Sequence, residues 1–435
     1  MTNESHLLAF KLQNFRSFRD AHVLKFTRYS KDLELGFKHP DIAPALAVLG
    51  ANASGKSNLL RGLTVMFSMI EGSAVRGAGN LPYSPFVFGG EDLGPTYFEA
   101  VVRFDGVRYD YSFSYDAEAI IEERLFSYPK NRPRLLFDRD GAGEEDEWTF
   151  GDSMTGPSQS LAKATRRRSL LLSTAQLLNH DVLTPLFEKF AALVKSIDSD
   201  KMAETLQSTL EDLSKDQSLA SSVTALLKEA DLGISGLSIE KTELSGDSLK
   251  QMRRVYELVY PDSSPEDIDD KIKRMALLPQ LKHTRGQGKP IALPFNWESL
   301  GTRNFLTLLG PVLRLLRSGG VLVVDELDTS LHPRLVSQVV RLFQSEKTNP
   351  HQAQLLISTH DVTVMMNTGD YSALRRDQVW FVQKDDDGGS TLTALADYKP
   401  RKDEVFSRSY LNGRYGAIPR IDDDAFLRPL SDLEQ

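Results

Sequence analysis

Gly50-Ala51-Asn52-Ala53-Ser54-Gly55-Lys56-Ser57 is the stretch that decides the fold. It follows the apolar run Ala45-Leu46-Ala47-Val48-Leu49, which reads as a buried strand. It leads into Asn58-Leu59-Leu60-Arg61-Gly62-Leu63, which reads as the first turns of a helix. A complete G-x-x-x-x-G-K-S between a strand and a helix is a phosphate-binding loop. Its glycines let the backbone curl so that N–H groups point at phosphate oxygens. The helix N-terminus adds free donors and partial positive charge. In this reading Lys56 bridges the β- and γ-phosphates of a nucleoside triphosphate, and Ser57 offers its hydroxyl to Mg2+.

The other half of the expected site lies far downstream. Val321-Leu322-Val323-Val324-Asp325-Glu326 is a continuous apolar run ending in two carboxylates. It reads as a fully buried parallel strand with acids at its C-terminal tip, where open α/β sheets bind ligands. Asp325 is placed to hold Mg2+, directly or through water, and Glu326 to orient or deprotonate the attacking water. Ser299-Leu300-Gly301-Thr302 precedes an apolar helical pattern and offers a second anion-binding corner. Leu327-Asp328-Thr329-Ser330-Leu331-His332-Pro333 follows Glu326 at once. Gln354-Leu355-Leu356-Ile357-Ser358-Thr359-His360-Asp361 is a further buried strand with a polar tip. A histidine there, after the other pieces and in that order, reads as a sensor of the γ-phosphate.

This order resembles ABC-type ATPases, specifically the SMC/RecF/OLD branch. The resemblance makes Gly50–Ser57 the Walker A loop, Asp325-Glu326 the Walker B pair, Asp328 part of the D-loop and His360 the switch histidine. Ser299–Thr302 is similar to a divergent signature motif without its second glycine and glutamine. No Q-loop glutamine is evident. Closer still, the chain resembles single-chain ATPases of bacterial anti-phage and abortive-infection systems, AbiL-like and RloA-like. Asn14–Phe18, Ser84-Pro85-Phe86, Glu298–Arg303, Leu331-His332-Pro333 and Gly413–Pro419 carry that closer match. The resemblance implies an α/β fold, a P-loop ABC-type ATPase with an antiparallel β side sheet and a helical insertion between Walker A and Walker B. It implies ATP and Mg2+ as ligands. Asn14 and Arg16, in an early hairpin, become candidate contacts to base or ribose, and Asn58 continues the phosphate loop.

Composition sets the outer bounds. The chain has 435 residues, 40% hydrophobic and 26% charged, as in ordinary globular proteins. It has no cysteine, which excludes disulfides, thiol catalysis and cysteine-held zinc. No apolar run approaches the ~20 residues that span a bilayer, and Met1–His6 lacks the start of a signal peptide. A cytoplasmic protein with no membrane contact is expected. The net charge of −8 does not favour nucleic acid held by the whole surface. Local candidates for such contact are Arg166-Arg167-Arg168 and Lys282–Lys289.

Periodicity suggests three segments. Residues 1–160 read as the N-terminal half of the ATPase domain, β-rich around the Walker A helix. Asp105-Gly106 between two aromatic alternating runs marks a hairpin. Residues 161–275 read as a helical lobe. Within it Leu183, Leu186, Phe187, Phe190, Leu193, Val194 and Ile197 share one helical face. There is no sustained heptad, so a compact lobe rather than a coiled coil is expected. Residues 276–435 read as the C-terminal half, with signature, Walker B, D-loop and switch histidine.

The resemblance also implies self-association, two copies enclosing two ATP molecules, each signature corner capping the partner's nucleotide. Three function classes follow. The first is a sensor or regulator of a separately encoded effector, a nuclease or toxin, in anti-phage defence. The alternative is a RecF/SMC-like ATPase that binds or repairs DNA. The divergent signature, the unidentified Q-loop and the large insertion argue against the third, the nucleotide domain of a membrane transporter.

Overall fold

The computed structural model describes residues 4–28, 41–75, 79–90, 93–143, 146–198, 201–242, 246–259, 264–284, 288–366, 374–400 and 404–419. Residues 285–287 of the basic stretch Lys282–Lys289 lie outside them.

Strands β1 (Ser5–Gln13) and β2 (His22–Lys25) pair antiparallel around the expected turn, with Ala9 opposite Lys25. β3 (Ala45–Leu49) then enters the core and delivers the phosphate loop to α1 (Lys56–Gly72). The chain returns to the edge layer through β4 (Thr96–Phe104), β5 (Val107–Tyr115), β6 (Ile120–Tyr128), β7 (Arg134–Asp140) and β8 (Glu147–Phe150). Asp105 and Gly106, with φ of 49° and 80°, turn β4 into β5 as the sequence expects. The resulting antiparallel sheet runs β2-β1-β4-β5-β6-β7-β8.

Three helices follow, α2 (Ser158–Ala164), α3 (Leu171–Leu177) and α4 (Leu183–Leu193). Here the structure departs from the helical reading. Val194 and Ile197 leave the helix and form β9 (Val194–Ile197), which pairs in parallel with a later strand, Val194 opposite Val321. A ladder of backbone hydrogen bonds is available there, and β-branched side chains suit it, so the sheet overrides the periodicity. The stretch 161–275 is accordingly not one helical body. Its first part packs on α1, and β9 is a strand of the main sheet.

Beyond β9 come α5 (Met202–Lys215), α6 (Gln217–Glu229), β10 (Ile234–Lys241), α7 (Gly246–Val259), α8 (Pro265–Met275), β11 (Leu277–His283) and β12 (Ile291–Pro294). The lobe is therefore mixed, because β10, β11 and β12 form their own antiparallel sheet. α9 (Leu300–Ser318) and β13 (Val321–Val324) carry the chain back to the core. α10 (Pro333–Gln344), β14 (Gln354–Ser358), β15 (Val379–Lys384), β16 (Ser390–Ala394) and α11 (Phe406–Leu411) complete it. The main sheet runs β16-β15-β3-β14-β13-β9, parallel except for β16.

This sheet is buried on both faces, as a parallel sheet requires. Leu46 and Val48 of β3 face a core shared with α1, α4 and the side sheet. Ala45, Ala47 and Leu49 face a second core shared with α9 and α10. α5 is locked to α9 where Gly310 lets Thr209 approach; a Cβ at Gly310 would lie 2.3 Å from its hydroxyl.

A buried polar network joins the side sheet to α3. Glu123, fully buried, accepts hydrogen bonds from Tyr111 Oη at 2.8 Å and from the N–H groups of Leu171 and Leu172 at 2.7 and 3.3 Å. Arg139, equally buried, donates to Ser169 O at 2.8 Å and pairs with Asp146 at 2.6 Å. Burial pushes the Glu123 pKa up, and the Arg139 charge opposes the shift. Glu123→Ala leaves Tyr111 Oη and two amide donors without their acceptor, while Arg139 keeps Asp146 and Ser169 O, so it is expected to cost about 1–3 kcal/mol. Glu123→Gln keeps most of the hydrogen bonds and costs less. Urea unfolding of both variants measures the difference.

Candidate functional site

Three parallel strands set the site because their C-terminal ends finish at one edge. Leu355 pairs with Ala45 and Val321 with Gln354, so β3, β14 and β13 run in step. Beyond these ends lie Gly50, Thr359 and Asp325. The Thr359 N–H donates to Val48 O at 3.1 Å, continuing the ladder to the sheet's last residue.

The phosphate loop is shaped by close contacts. A Cβ on Gly50 would meet Val382 O at 2.4 Å. Gly55 has φ +113°, and a Cβ there would meet Ser390 Oγ at 2.3 Å and Ser17 Oγ at 2.7 Å. Ala53 also adopts a left-handed conformation, at φ 60°. Lys56 is only 6% exposed, and its Nζ donates to Gly50 O at 2.8 Å and Ala51 O at 3.0 Å, across the loop. Ser54 Oγ is buried with no hydrogen-bond partner. A backbone curled around a lysine amine, with an orphaned hydroxyl and the start of α1, fits a polyphosphate. Burial lowers the Lys56 pKa, while the charges of Asp325, Glu326 and Asp328 push it back up.

The carboxylates meet the loop from β13. Ser57 Oγ donates to Asp325 Oδ1 at 3.2 Å. Ser358, fully buried at the end of β14, donates to the same Asp325 oxygen and accepts the Glu326 N–H at 2.8 Å. Glu326 has φ +52°, an uncommon conformation for a non-glycine residue, and Ser358 holds it there. The Glu326 carboxylate is exposed and, among the described residues, accepts from Thr329 Oγ1 alone, at 3.3 Å, which leaves it room to turn. Ser57 and Asp325 together make a hard-oxygen pair suited to Mg2+, which takes few protein ligands and keeps several waters. Asp328 accepts the His360 N–H at 3.2 Å, and its Oδ1 is buried without a partner. His360 itself is exposed at the strand tip.

The Ser299 corner sits at the far end of this acidic segment. Ser299 caps α9, accepting the Thr302 N–H at 3.1 Å. A Cβ on Gly301 would lie 2.4 Å from Ser330 O. The segment from Asp325 to Ser330 thus touches the phosphate loop at one end and the corner at the other. Thr302 is buried and its hydroxyl lies 2.9 Å from Ser299 Oγ, so it braces the cap instead of facing outward. Glu298 is clamped by His283 Nε2 at 2.8 Å, which ties the corner to the lobe's sheet.

Several expected contacts have other partners. The Asn14 amide donates to the carbonyls of Leu93, Gly94 and Pro95, and its Oδ1 accepts the Phe86 N–H at 3.0 Å. It pins the turn rather than facing a nucleotide base. Asn58 donates to Ser17 Oγ at 2.9 Å and accepts from Arg16 at 3.3 Å, so its side chain also holds the turn. Arg16 therefore stands beside the start of α1, its pKa lowered by burial and by nearby Arg61. Asn52 projects from the exposed part of the loop. His332 caps α10 by accepting the Arg334 N–H at 3.2 Å. In the Arg166–Arg168 run, Arg166 and Arg167 are exposed, and parts of the run are tied to the fold. Arg168 pairs with Glu118, Arg167 donates to Gly141 O at 3.1 Å, and the Arg166 carbonyl accepts from Arg139.

Sequence reasoning missed Ser17, Ser390 and Ser358. Ser390 Oγ donates to Ser54 O at 2.6 Å, and its N–H to Ser17 O at 2.6 Å, fastening the phosphate loop to both neighbouring hairpins. Only Ser358 carried a signal, as a hydroxyl at the last position of a buried apolar strand.

The strand order, the loop at the sheet edge and the acidic tip of β13 define a P-loop ATPase domain. The chain belongs to the family described as "AAA domain, putative AbiEii toxin, Type IV TA system", whose model matches residues 46–367. No curated protein matches the sequence. Among solved structures it is similar to an SMC head domain from Thermotoga maritima, with 13% identity, 89% of this chain and 98% of that one covered, and a TM-score of 0.39. It is also similar to an SMC head bound to the C-winged helix domain of ScpA, at 12% identity, 89% and 97% coverage and a TM-score of 0.42. The recombination mediator protein RecF matches at 12% identity, 90% and 99% coverage and a TM-score of 0.37. At these scores the assignment rests on the strand order and the family match. Among the described residues no helix is long and apolar enough to cross a membrane.

Two substitutions separate shaping from chemistry. Gly55→Ala strains the backbone and drives a methyl into two serines, so nucleotide binding is expected to be lost while the circular dichroism spectrum stays. Ser358→Ala releases Asp325 and the Glu326 N–H; turnover is expected to fall about 10–100-fold with nucleotide affinity changed much less. Steady-state kinetics and fluorescent-nucleotide titration measure both.

Proposed function

We propose that this protein is a Mg2+-dependent ATPase that closes as a dimer around two ATP molecules and uses that closure to regulate a separately encoded effector in anti-phage defence. One observation carries the dimer reading. The phosphate loop and the capped corner at Ser299 lie at opposite ends of the Asp325–Ser330 segment. A triphosphate on the loop meets Lys56 and α1 on one side. The N-terminus of α9 remains for the opposite side of a partner's nucleotide.

The chain's own residues divide the work. Lys56 and the loop N–H groups bind the phosphates, Ser57 and Asp325 hold the metal, and Glu326 takes or orients the proton of the attacking water. Mg2+ supplies charge neutralisation at the β- and γ-oxygens when bound. In this reading His360 reports the γ-phosphate to the D-loop, a role supported by its N–H donating to Asp328. Ser299 and the backbone at Gly301 stabilise the transferring phosphoryl from the partner's side. Closure then moves α9, and α5 with it, since Thr209 and Gly310 interlock. The family description, which names a toxin–antitoxin system, supports a separately encoded working partner.

Glu326→Gln with ATP is expected to trap a dimer by native mass spectrometry, and Lys56→Ala to abolish it. Pulled from its host in the trapped state, the protein should carry a second polypeptide in fixed stoichiometry. A dimer carrying nucleic acid instead would transfer the assignment to a RecF/SMC-like DNA-binding ATPase. Lys56 must be protonated to bind phosphate, and burial lowers its pKa from 10.5. ATP affinity should therefore stay flat near neutral pH and fall in the alkaline range before an ordinary lysine would titrate. Titrations at stepped pH measure the onset.

A further inference from the structure

An exposed aromatic side chain borders each half of the nucleotide site. At the Ser299 corner, Trp297 is 74% exposed, and Leu300, the first residue of α9, is exposed beside it. Of the three tryptophans Trp297 alone is exposed. Next to the phosphate loop, Phe88 is 71% exposed and Val87 is exposed with it. Single apolar side chains scattered over a surface need no explanation. These two pairs are instead held out from the body by braced turns.

Trp297 ends the 3-10 turn Phe295–Trp297, which the Glu298 N–H closes by donating to Phe295 O at 3.2 Å. Glu298 is clamped by His283, and Ser299 caps α9, so the chain on the C-terminal side of Trp297 is fixed. Phe88 lies in a second 3-10 turn, Val87–Gly89. Just before it, the Phe86 N–H donates to Asn14 Oδ1, and the Phe86 ring meets the Phe88 ring edge-on at 5.7 Å. Phe88 also leans on the 385–389 hairpin, where a Cβ on Gly388 would lie 3.1 Å from its ring. An aromatic displayed from a fixed turn gives up little conformational freedom on association, and such anchors carry much of the energy of protein interfaces.

The two groups stand at similar offsets from the parts they border. Trp297 precedes Ser299 by two residues, at most ~7 Å along the chain. Gly388, against Phe88, precedes Ser390 by two residues, and Ser390 Oγ donates to Ser54 O of the phosphate loop. A corner seated on the loop of another copy therefore carries Trp297 toward that copy's Phe88, and a two-fold arrangement repeats the approach on the other side. We propose that Trp297 and Leu300 of one copy pack on Val87 and Phe88 of a second copy and so close the rim of the enclosed nucleotide. The contact rests on the ATP-closed dimer proposed above and adds to it an apolar recognition element that does not depend on the phosphates. A second copy is the occupant because each chain carries both halves, each beside a surface that the closed dimer brings to the other. Aromatic side chains bury about 150–250 Å2 each, so the paired contacts supply the apolar area that a loop, two acids and a capped helix lack.

The chain has no cysteine, so introduced thiols report alone. One population carrying Trp297→Cys and another carrying Phe88→Cys, both in the Glu326→Gln background, are mixed and treated with a short bismaleimide. ATP is expected to raise the joining of the two populations at least tenfold, with the joined peptides identified by mass spectrometry. In the Glu326→Gln protein, ATP is also expected to shift tryptophan emission to the blue, and Trp297→Phe to remove the shift. Trp297→Arg and Phe88→Glu should each weaken ATP-dependent association at least tenfold and together restore most of it, because each new cation meets the partner's new carboxylate. Circular dichroism checks that every variant folds. If native mass spectrometry finds no ATP-dependent dimer, the dimer reading falls and the contact with it. If the dimer forms but the thiols do not join, the emission does not move or the charge pair restores nothing, the contact alone is overturned. It is also overturned if Phe88→Glu weakens ATP binding by the single copy, which would place Phe88 on its own nucleotide. The same holds if a host polypeptide, and not the ATP-bound dimer, shields the thiol of Trp297→Cys.

Discussion

A single buried hydroxyl organises the edge of the main sheet where the phosphate loop meets the acids. Ser358 ends β14 between the strand that carries the phosphate loop and the strand that carries the acids. Its oxygen donates to Asp325 and receives the Glu326 N–H. That pair of bonds fixes one carboxylate against Ser57 and turns the next residue into a left-handed conformation that exposes the other. Water competes poorly at a fully buried position, so these bonds hold their geometry better than surface bonds would. Asp325 and Glu326 are held by this atom directly, and Ser57 through Asp325.

The scaffold that places Ser358 is the doubly buried parallel sheet. Both faces of β3 are covered, one by α1, α4 and the side sheet and the other by α9 and α10. The phosphate loop then has little room. Val382, Ser390 and Ser17 press on it closely enough that Gly50 and Gly55 tolerate no side chain. The same crowding recruits the two hairpins, 14–21 and 385–389, as walls of the loop. Asn14 and Arg16 belong to the first of those hairpins, and Asn58, in the first turn of α1, bonds to it through Ser17 and Arg16.

The lobe and the nucleotide site are mechanically continuous. α5 begins at the end of β9, beside Asp325, and interlocks with α9, whose first turn is the Ser299 corner. The corner is also tied to β11 through Glu298 and His283. Two connections of different chemistry, one steric and one polar, therefore join the same few residues to the lobe. The corner is thus anchored to α5 on one side and to β11 on the other.

The sequence by itself determined the phosphate loop, the acidic strand tip, the order of the remaining pieces and the hairpin at Asp105-Gly106. These are legible because their chemistry is local: a turn needs its glycines, a buried strand its apolar run, and a phosphate site its lysine and hydroxyl within a few residues. The tertiary structure decided the rest. Val194–Ile197 looks like the end of a helix until β13 offers it a ladder, and the lobe looks helical until β10 finds β11. Ser17, Ser358 and Ser390 are ordinary serines in the sequence; only the folding of three distant segments onto one loop gives them partners. Arg166–Arg168 is a basic run in the sequence, and only the fold shows that Arg168 pairs with Glu118 and that Arg167 donates to Gly141 O. In each case the partner lies dozens or hundreds of residues away or is a backbone group, and neither leaves a periodic trace in the chain.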